Sequence, residues 1–243
     1  MKNIFIITEP RTGSNLLCET FYCFQPTRII NELFLTDSNE NNLAIKTLIR
    51  DNEKELLYKE LNLSNLKELS NFFVHNPKQS LILLDQIIPI TKVYKIHDWQ
   101  LDMYDLDFIL EESAIVLLTR KQKIYQYASF EIAKQLNQWH SIDTNHIQIT
   151  VNPEHYVEWK TKSYNYYNNI KSRLKDRNYL ELNYEDHLEN INTDQLLKDI
   201  NDWLNDIDLK LTLGDYRPKI FKKQNLRHIS DIVKNYDQIY DIL

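Results

Sequence analysis

The chain has 243 residues, of which 42% are hydrophobic and 26% charged, the profile of a globular protein long enough to bury a full core. Its formal charge of −6 gives no global pull toward nucleic acid or anionic lipid, so any polyanion site must be local. Two cysteines, Cys18 and Cys23, are too few for a disulfide framework, and no apolar run approaches the roughly 20 residues that span a bilayer. With no signal-peptide pattern at residues 1–9, a reduced cytoplasmic protein is the expectation.

Residues 4–7 (IFII) read as a buried strand of a parallel sheet. The run stops at Pro10, turns through Arg11-Thr12-Gly13-Ser14-Asn15 and resumes as an apolar helix at Leu16. Strand, polar loop and helix in that order can cradle an anion, because the loop and first helical turn leave backbone N–H groups unpaired. The alternative is an ordinary strand-to-helix turn. Gly13 favours the cradle: it is one of 2 glycines, where average usage of about 7% would give roughly seventeen.

Residues 27–34 (TRIINELF) read as a second strand running into a loop that holds Glu32. From 36 to about 77 the chain is polar. There Leu56, Leu57 and Leu61, then Leu66, Leu69, Phe72 and Phe73, recur at helical spacing, which predicts two amphipathic helices inserted into a single domain spanning 1–243. Residues 92–98 (KVYKIHD) predict a strand emerging into a loop, and 114–119 (AIVLLT) are the clearest buried strand. The latter leads at once into a helix over 121–137 with an apolar stripe of Ile124, Ala128, Ile132 and Leu136. Asn152-Pro153 opens the longest helix, 179–183 (YLELN) form a short strand followed by Tyr184-Glu185-Asp186, and Leu196, Ile200, Trp203 and Leu204 mark another helix. From Gly214 the tail turns basic. Alternating strands and helices predict an α/β fold of three layers around a central, mainly parallel sheet. Ligands in such sheets bind beyond the carboxyl ends of the strands, and Arg11, Glu32, His97 and Arg120 all follow predicted strand ends.

The loop does not match the nucleoside-triphosphate form G-x-x-x-x-G-K-[ST]: it has one glycine, no lysine after it, and Arg11 ahead of it. It suits a 5′-phosphate held through Thr12, Gly13, Ser14 and Asn15, with Leu16 opening the helix and Arg11 reaching a charged group alongside. Arg120 ends a buried strand, and Ser129 lies nine residues on in the following helix. Either alone reads as a surface arginine or a helix-interior serine. Together they can clamp a second phosphate, a task suited to the planar, always-charged arginine fork. Two separate grips suggest a nucleotide with phosphates at two ends.

The PRTGSNLL loop, the LLTRKQKIYQYAS segment and YLELNYED resemble, in order and spacing, the sulfotransferase family, and most closely its bacterial branch typified by trehalose sulfotransferases. NELF around Glu32, KIHDWQ at 95–100 and QWHS at 138–141 are similar to that branch too. Thr12 and Asn15 depart from its more usual serine and threonine, and both keep a polar side chain. The resemblance implies a P-loop NTPase-like fold using 3′-phosphoadenosine 5′-phosphosulfate (PAPS) as donor and releasing 3′,5′-bisphosphoadenosine (PAP). It implies Glu32 or His97 as base toward a small-molecule hydroxyl acceptor, on a carbohydrate or other metabolite. Arg11 would stabilise the leaving phosphate with Lys95, Trp139 and His140 would line the acceptor pocket, and Lys222 and Lys223 would close over the donor. The histidines and cysteines show no metal-ligand spacing, so no metal is expected. Neither is a nucleic-acid partner, and a homodimer stays open. Two other readings compete. In one, residues 81–85 (LILLD) imitate the strand ending in a Mg²⁺-binding aspartate, as in a P-loop small-molecule kinase. In the other, the cradle belongs to a non-catalytic nucleotide-binding homologue.

Overall fold

A run such as Ile4-Phe5-Ile6-Ile7 has no polar face, so it is satisfied only in the middle of a sheet covered on both sides. The computed structural model, which describes residues 3–31, 45–101, 106–139, 144, 146–189, 193–216 and 227–240, puts it there. The strands in chain order are β1 (Asn3–Thr8), β2 (Phe24–Gln25), β3 (Thr27–Asn31), β4 (Thr91–His97), β5 (Ser113–Thr119), β6 (Leu180–Asn183) and β7 (Thr212–Leu213). Five of them form one sheet in the order β3-β4-β1-β5-β6, every pair parallel, while β2 and β7 make a small antiparallel pair. All six residues of β1 are buried.

The helices that concern the core are α1 (Ser14–Thr20), α2 (Asp51–Leu61), α3 (Leu66–His75), α4 (Pro77–Ile87), α5 (Leu106–Glu112), α6 (Lys123–Leu136), α7 (Pro153–Leu174) and α8 (Thr193–Asp206). On one face of the sheet Phe5, Ile7, Tyr94, Ile96, Ile115 and Leu117 pack against α2, α3, α4 and α7. On the other, Ile4, Ile6, Val93, Val116 and Leu118 pack against α1 and α8, whose Leu196, Ile200, Trp203 and Leu204 are buried as their spacing predicts. This is the three-layer parallel α/β architecture expected from the sequence. The helix termini follow local chemistry: Asn152 Oδ1 accepts the N–H of His155 with Pro153 in the first turn, and Asn137 closes α6 with φ 49°. Behind α6 a third cluster joins Ile124, Tyr127 and Ile132 to Ile229, Ile232 and Ile239 of the C-terminal segment.

The predicted pair of insert helices is α2 and α3, and the helical layer then continues. Residues 81–85, the strand imitation of the kinase alternative, lie within α4. Pro77 opens that helix, and Leu81 and Leu84 are buried while Ile82 is exposed, a helical rather than an alternating pattern. Asp85 therefore sits at the amino end of the sheet, opposite to Arg11. It accepts from Asn3 Nδ2 at 2.8 Å and pairs with Lys92 Nζ at 2.8 Å. The Lys92 ammonium also donates to the carbonyls of Ile88 and Ile90, and its pKa is lowered by burial, against which Asp85 works.

Asp85→Asn should lower the unfolding free energy by about 1–3 kcal/mol, because a buried ammonium loses its charged partner. Urea unfolding measures the loss. Anion binding at the opposite edge of the sheet should be unchanged.

Candidate anion-binding site

The polar loop leaves the carboxyl end of the central strand and is held from behind. Thr12 Oγ1 donates to Glu9 O at 2.9 Å and shares a 2.5 Å hydrogen bond with Thr8 Oγ1, which also reaches Leu118 O. Thr12 is fully buried and its hydroxyl is taken up inside the protein, so this residue braces the loop from behind. Arg11 and Gly13 both take left-handed φ, 64° and 82°. For arginine that is a rare conformation, held only where surrounding contacts impose it. The N–H groups of Leu16 and Leu17 both turn back to Gly13 O, while those of Gly13, Ser14 and Asn15 find no acceptor among the described residues.

In the sequence Gly13 favours an anion cradle, and the structure gives another reason for it. A Cβ there would lie 2.6 and 2.8 Å from ring carbons of Tyr184 and 3.4 Å from Leu188. The space a side chain would need belongs to the protein, and glycine is required by that packing and by its φ.

Beside the loop the structure brings three predicted residues together. Arg11 Nε donates to Ser129 Oγ at 2.8 Å, and its Nη1 to Trp139 O at 2.9 Å. Arg120, buried, donates through Nη1 to Arg11 O at 2.8 Å, and its guanidinium carbon lies 4.5 Å from the centre of the Tyr184 ring. Arg120 Nε is buried without a hydrogen bond, and the nearest carboxylate oxygen, Glu185 Oε1, is 3.5 Å away. Burial, and then the charge of Arg120, push the Arg11 pKa down. Like charges gathered beside a half-buried hydroxyl are the chemistry that suits an anion. Arg11 thus joins the Arg120–Ser129 group, rather than standing apart from it as the sequence reading had it.

The other side of the loop belongs to β4. Lys95, buried, donates to Asn15 Oδ1 at 2.7 Å. His97, also buried, donates its backbone N–H to Gln100 Oε1 at 2.8 Å and has Nδ1 3.4 Å from Thr8 O. Trp139 is exposed and rests against Phe130, 5.6 Å between ring centres. Glu32, His140, Lys222 and Lys223 lie outside the described residues.

Sequence reasoning missed the support behind the loop. Glu9 is buried and accepts from Lys123 Nζ at 3.0 Å, Gln126 Nε2 at 3.2 Å and Ser163 Oγ at 2.7 Å. Its N–H donates to the Tyr167 hydroxyl, which itself donates to Leu118 O. Burial, then the Glu9 charge, hold the Tyr167 pKa well above the usual phenol range, so the hydroxyl keeps the proton it donates. The visible signals were a carboxylate immediately after a fully buried strand and a serine in the apolar stripe of α7.

No protein-family model matches the chain, and no curated protein matches it. Among solved structures, retinol dehydratase in complex with androsterone and inactive cofactor PAP aligns with a TM-score of 0.39 and 16% identity. The alignment covers 82% of this chain and 60% of the retinol dehydratase chain, so this chain spans less than two thirds of that structure.

Gly13→Ala should destabilise the protein by at least about 2 kcal/mol, from φ strain and the clash with Tyr184, read as a fall in Tm. Glu9→Gln keeps an acceptor for Ser163 but takes the charged partner from the buried Lys123 ammonium, leaving it Gln126 Oε1 at 3.2 Å, at an expected cost of about 3 kcal/mol in denaturant unfolding at neutral pH. The pKa of Lys123 is already lowered from 10.5, first by burial, with Glu9 opposing. Without Glu9 it should fall further, so the folded state binds fewer protons than the unfolded one. The deficit of Glu9→Gln should therefore narrow as pH rises toward 10.5.

Proposed function

We propose that the chain is a sulfotransferase that takes a sulfuryl group from PAPS to a hydroxyl of a carbohydrate or other small metabolite, in the manner of the trehalose sulfotransferase-like branch. The observation that carries the reading is the convergence of Arg11, Arg120 and Ser129 beside a loop with open N–H groups at the carboxyl end of the central strand. Two guanidinium groups in mutual repulsion, Arg11 and Arg120, suit a phosphate better than any neutral group.

In this reading Arg120 and Ser129 grip the 3′-phosphate, and the N–H groups of Gly13, Ser14 and Asn15, with Thr12 and Leu16 shaping the turn, hold the 5′-phosphosulfate. Arg11 spans the two grips. Lys95, within reach of Asn15, adds positive charge where the sulfuryl oxygens would lie, and Lys222 and Lys223 cover the nucleotide. The transfer breaks the S–O bond to the 5′-phosphate and forms one from the acceptor oxygen to sulfur. The acceptor proton passes to Glu32 or His97. Positioning and preorganised positive charge supply most of the rate, and no metal is needed. Trp139 and His140 offer an aromatic face and a polar group to the acceptor. The phosphotransferase alternative loses its candidate Mg²⁺ carboxylate, since Asp85 belongs to the opposite edge of the sheet.

PAP at saturating concentration should raise Tm, and no shift would sink the donor assignment. Arg120→Ala should weaken PAP by about 10–100-fold while leaving 5′-AMP within about threefold. Equal weakening of the two would remove the 3′-phosphate clamp. Acceptor-dependent release of PAP in excess chelator separates turnover from mere binding and from kinase chemistry. Glu32→Gln or His97→Ala should abolish that release.

A further inference from the structure

Glu185 lies on the π-helical turn Tyr184–Glu189 that follows β6, and the chemistry above makes no use of it. Its carboxylate faces the segment that carries Arg120. Oε2 accepts the N–H of Lys121 at 2.8 Å, Oε1 accepts the N–H of Gln122 at 3.0 Å, and Oε1 also stands 3.5 Å from Arg120 Nε. The Arg120 and Glu185 side chains are only 9% and 11% exposed, so their interaction is little screened by solvent. The carboxylate thus satisfies two N–H groups freed where β5 gives way to α6, and sets one negative charge against a pair of like-charged guanidinium groups. The adjacent Tyr184 lies against the same guanidinium. One turn of chain orients Arg120 from two directions.

We propose that Glu185 is a positioning residue: it holds Arg120 in its anion-gripping orientation and balances the Arg11–Arg120 charge when no anion is bound. The identity of that anion as a 3′-phosphate rests on the sulfotransferase reading, whereas the role of Glu185 rests on geometry alone. Charge and positioning predict opposite signs. Removing a negative charge beside an anion pocket would, by Coulomb attraction alone, tighten anion binding. Loss of orientation weakens it.

The test uses the full chain as wild type, E185Q, R120A and the double variant. Each is melted alone to establish folding, then with PAP, 5′-AMP and inorganic sulfate. E185Q should lose about tenfold in PAP affinity and stay within about threefold for 5′-AMP, and in the R120A background it should have no further effect. E185Q binding PAP as tightly as wild type, or more tightly, overturns the proposal. So does the same loss persisting when Arg120 is already absent, because Glu185 would then act on the fold and not through Arg120. Should E185Q fail to fold, E185D, one methylene too short to span both N–H groups and Arg120, is held to the same comparison. If wild type responds to sulfate but not to PAP, and E185Q weakens sulfate only when Arg120 is present, the nucleotide assignment fails and the positioning role stands. If neither anion stabilises wild type, both are overturned.

Discussion

Gathering two arginine side chains at the mouth of a sheet works against folding, since each guanidinium gives up water and each repels the other. The lowered pKa of Arg11 registers both effects. Much of the chain's polar architecture answers this one constraint. Glu185 sets a charge beside Arg120, Ser129 Oγ and Trp139 O accept from Arg11, and Arg11 O accepts from Arg120. A second ion pair, Glu9 with Lys123, lies behind the loop with Gln126, Ser163 and Tyr167 saturating the carboxylate and the neighbouring N–H.

What could be read from the sequence follows the range of the interactions. Strands β1 and β5, the stripe of α6 and the Asn152-Pro153 start of α7 are local patterns, and a one-dimensional reading finds them within a residue or two. Arg120 and Ser129 could be paired because both lie on one strand–helix unit. The bond from Arg11 to Ser129 joins residues 118 apart, and that from Ser163 to Glu9 joins residues 154 apart, so neither leaves a local trace. Residues 81–85 stayed open to a strand reading, since a short apolar run is ambiguous until the proline and the exposed Ile82 fix its period. Gly13 was legible as special, but its cause, the ring of Tyr184, lies far along the chain.

The order of the sheet explains why the site has two sides. β1 is flanked by β4 and β5, so the loop leaving β1 meets Lys95 and His97 on one side and Arg120 on the other. Asn15 answers to the first and Arg11 to the second, with three residues between them. Opposite charge at the far edge of the sheet, Lys92 with Asp85, serves only to satisfy a buried ammonium where the strands begin.

The bond from Arg11 to the Trp139 carbonyl has a thermodynamic consequence. A single guanidinium ties Ser129 on α6 to the segment just beyond that helix's closing Asn137. Were an anion to draw on Arg11 while a second molecule displaced the Trp139 segment, both would act on the same side chain. Linkage makes such an exchange symmetrical: by whatever factor the first alters the affinity of the second, the second alters the first. The two ligands would then bind neither independently nor in arbitrary order, and the size of their mutual effect would measure how far Arg11 moves.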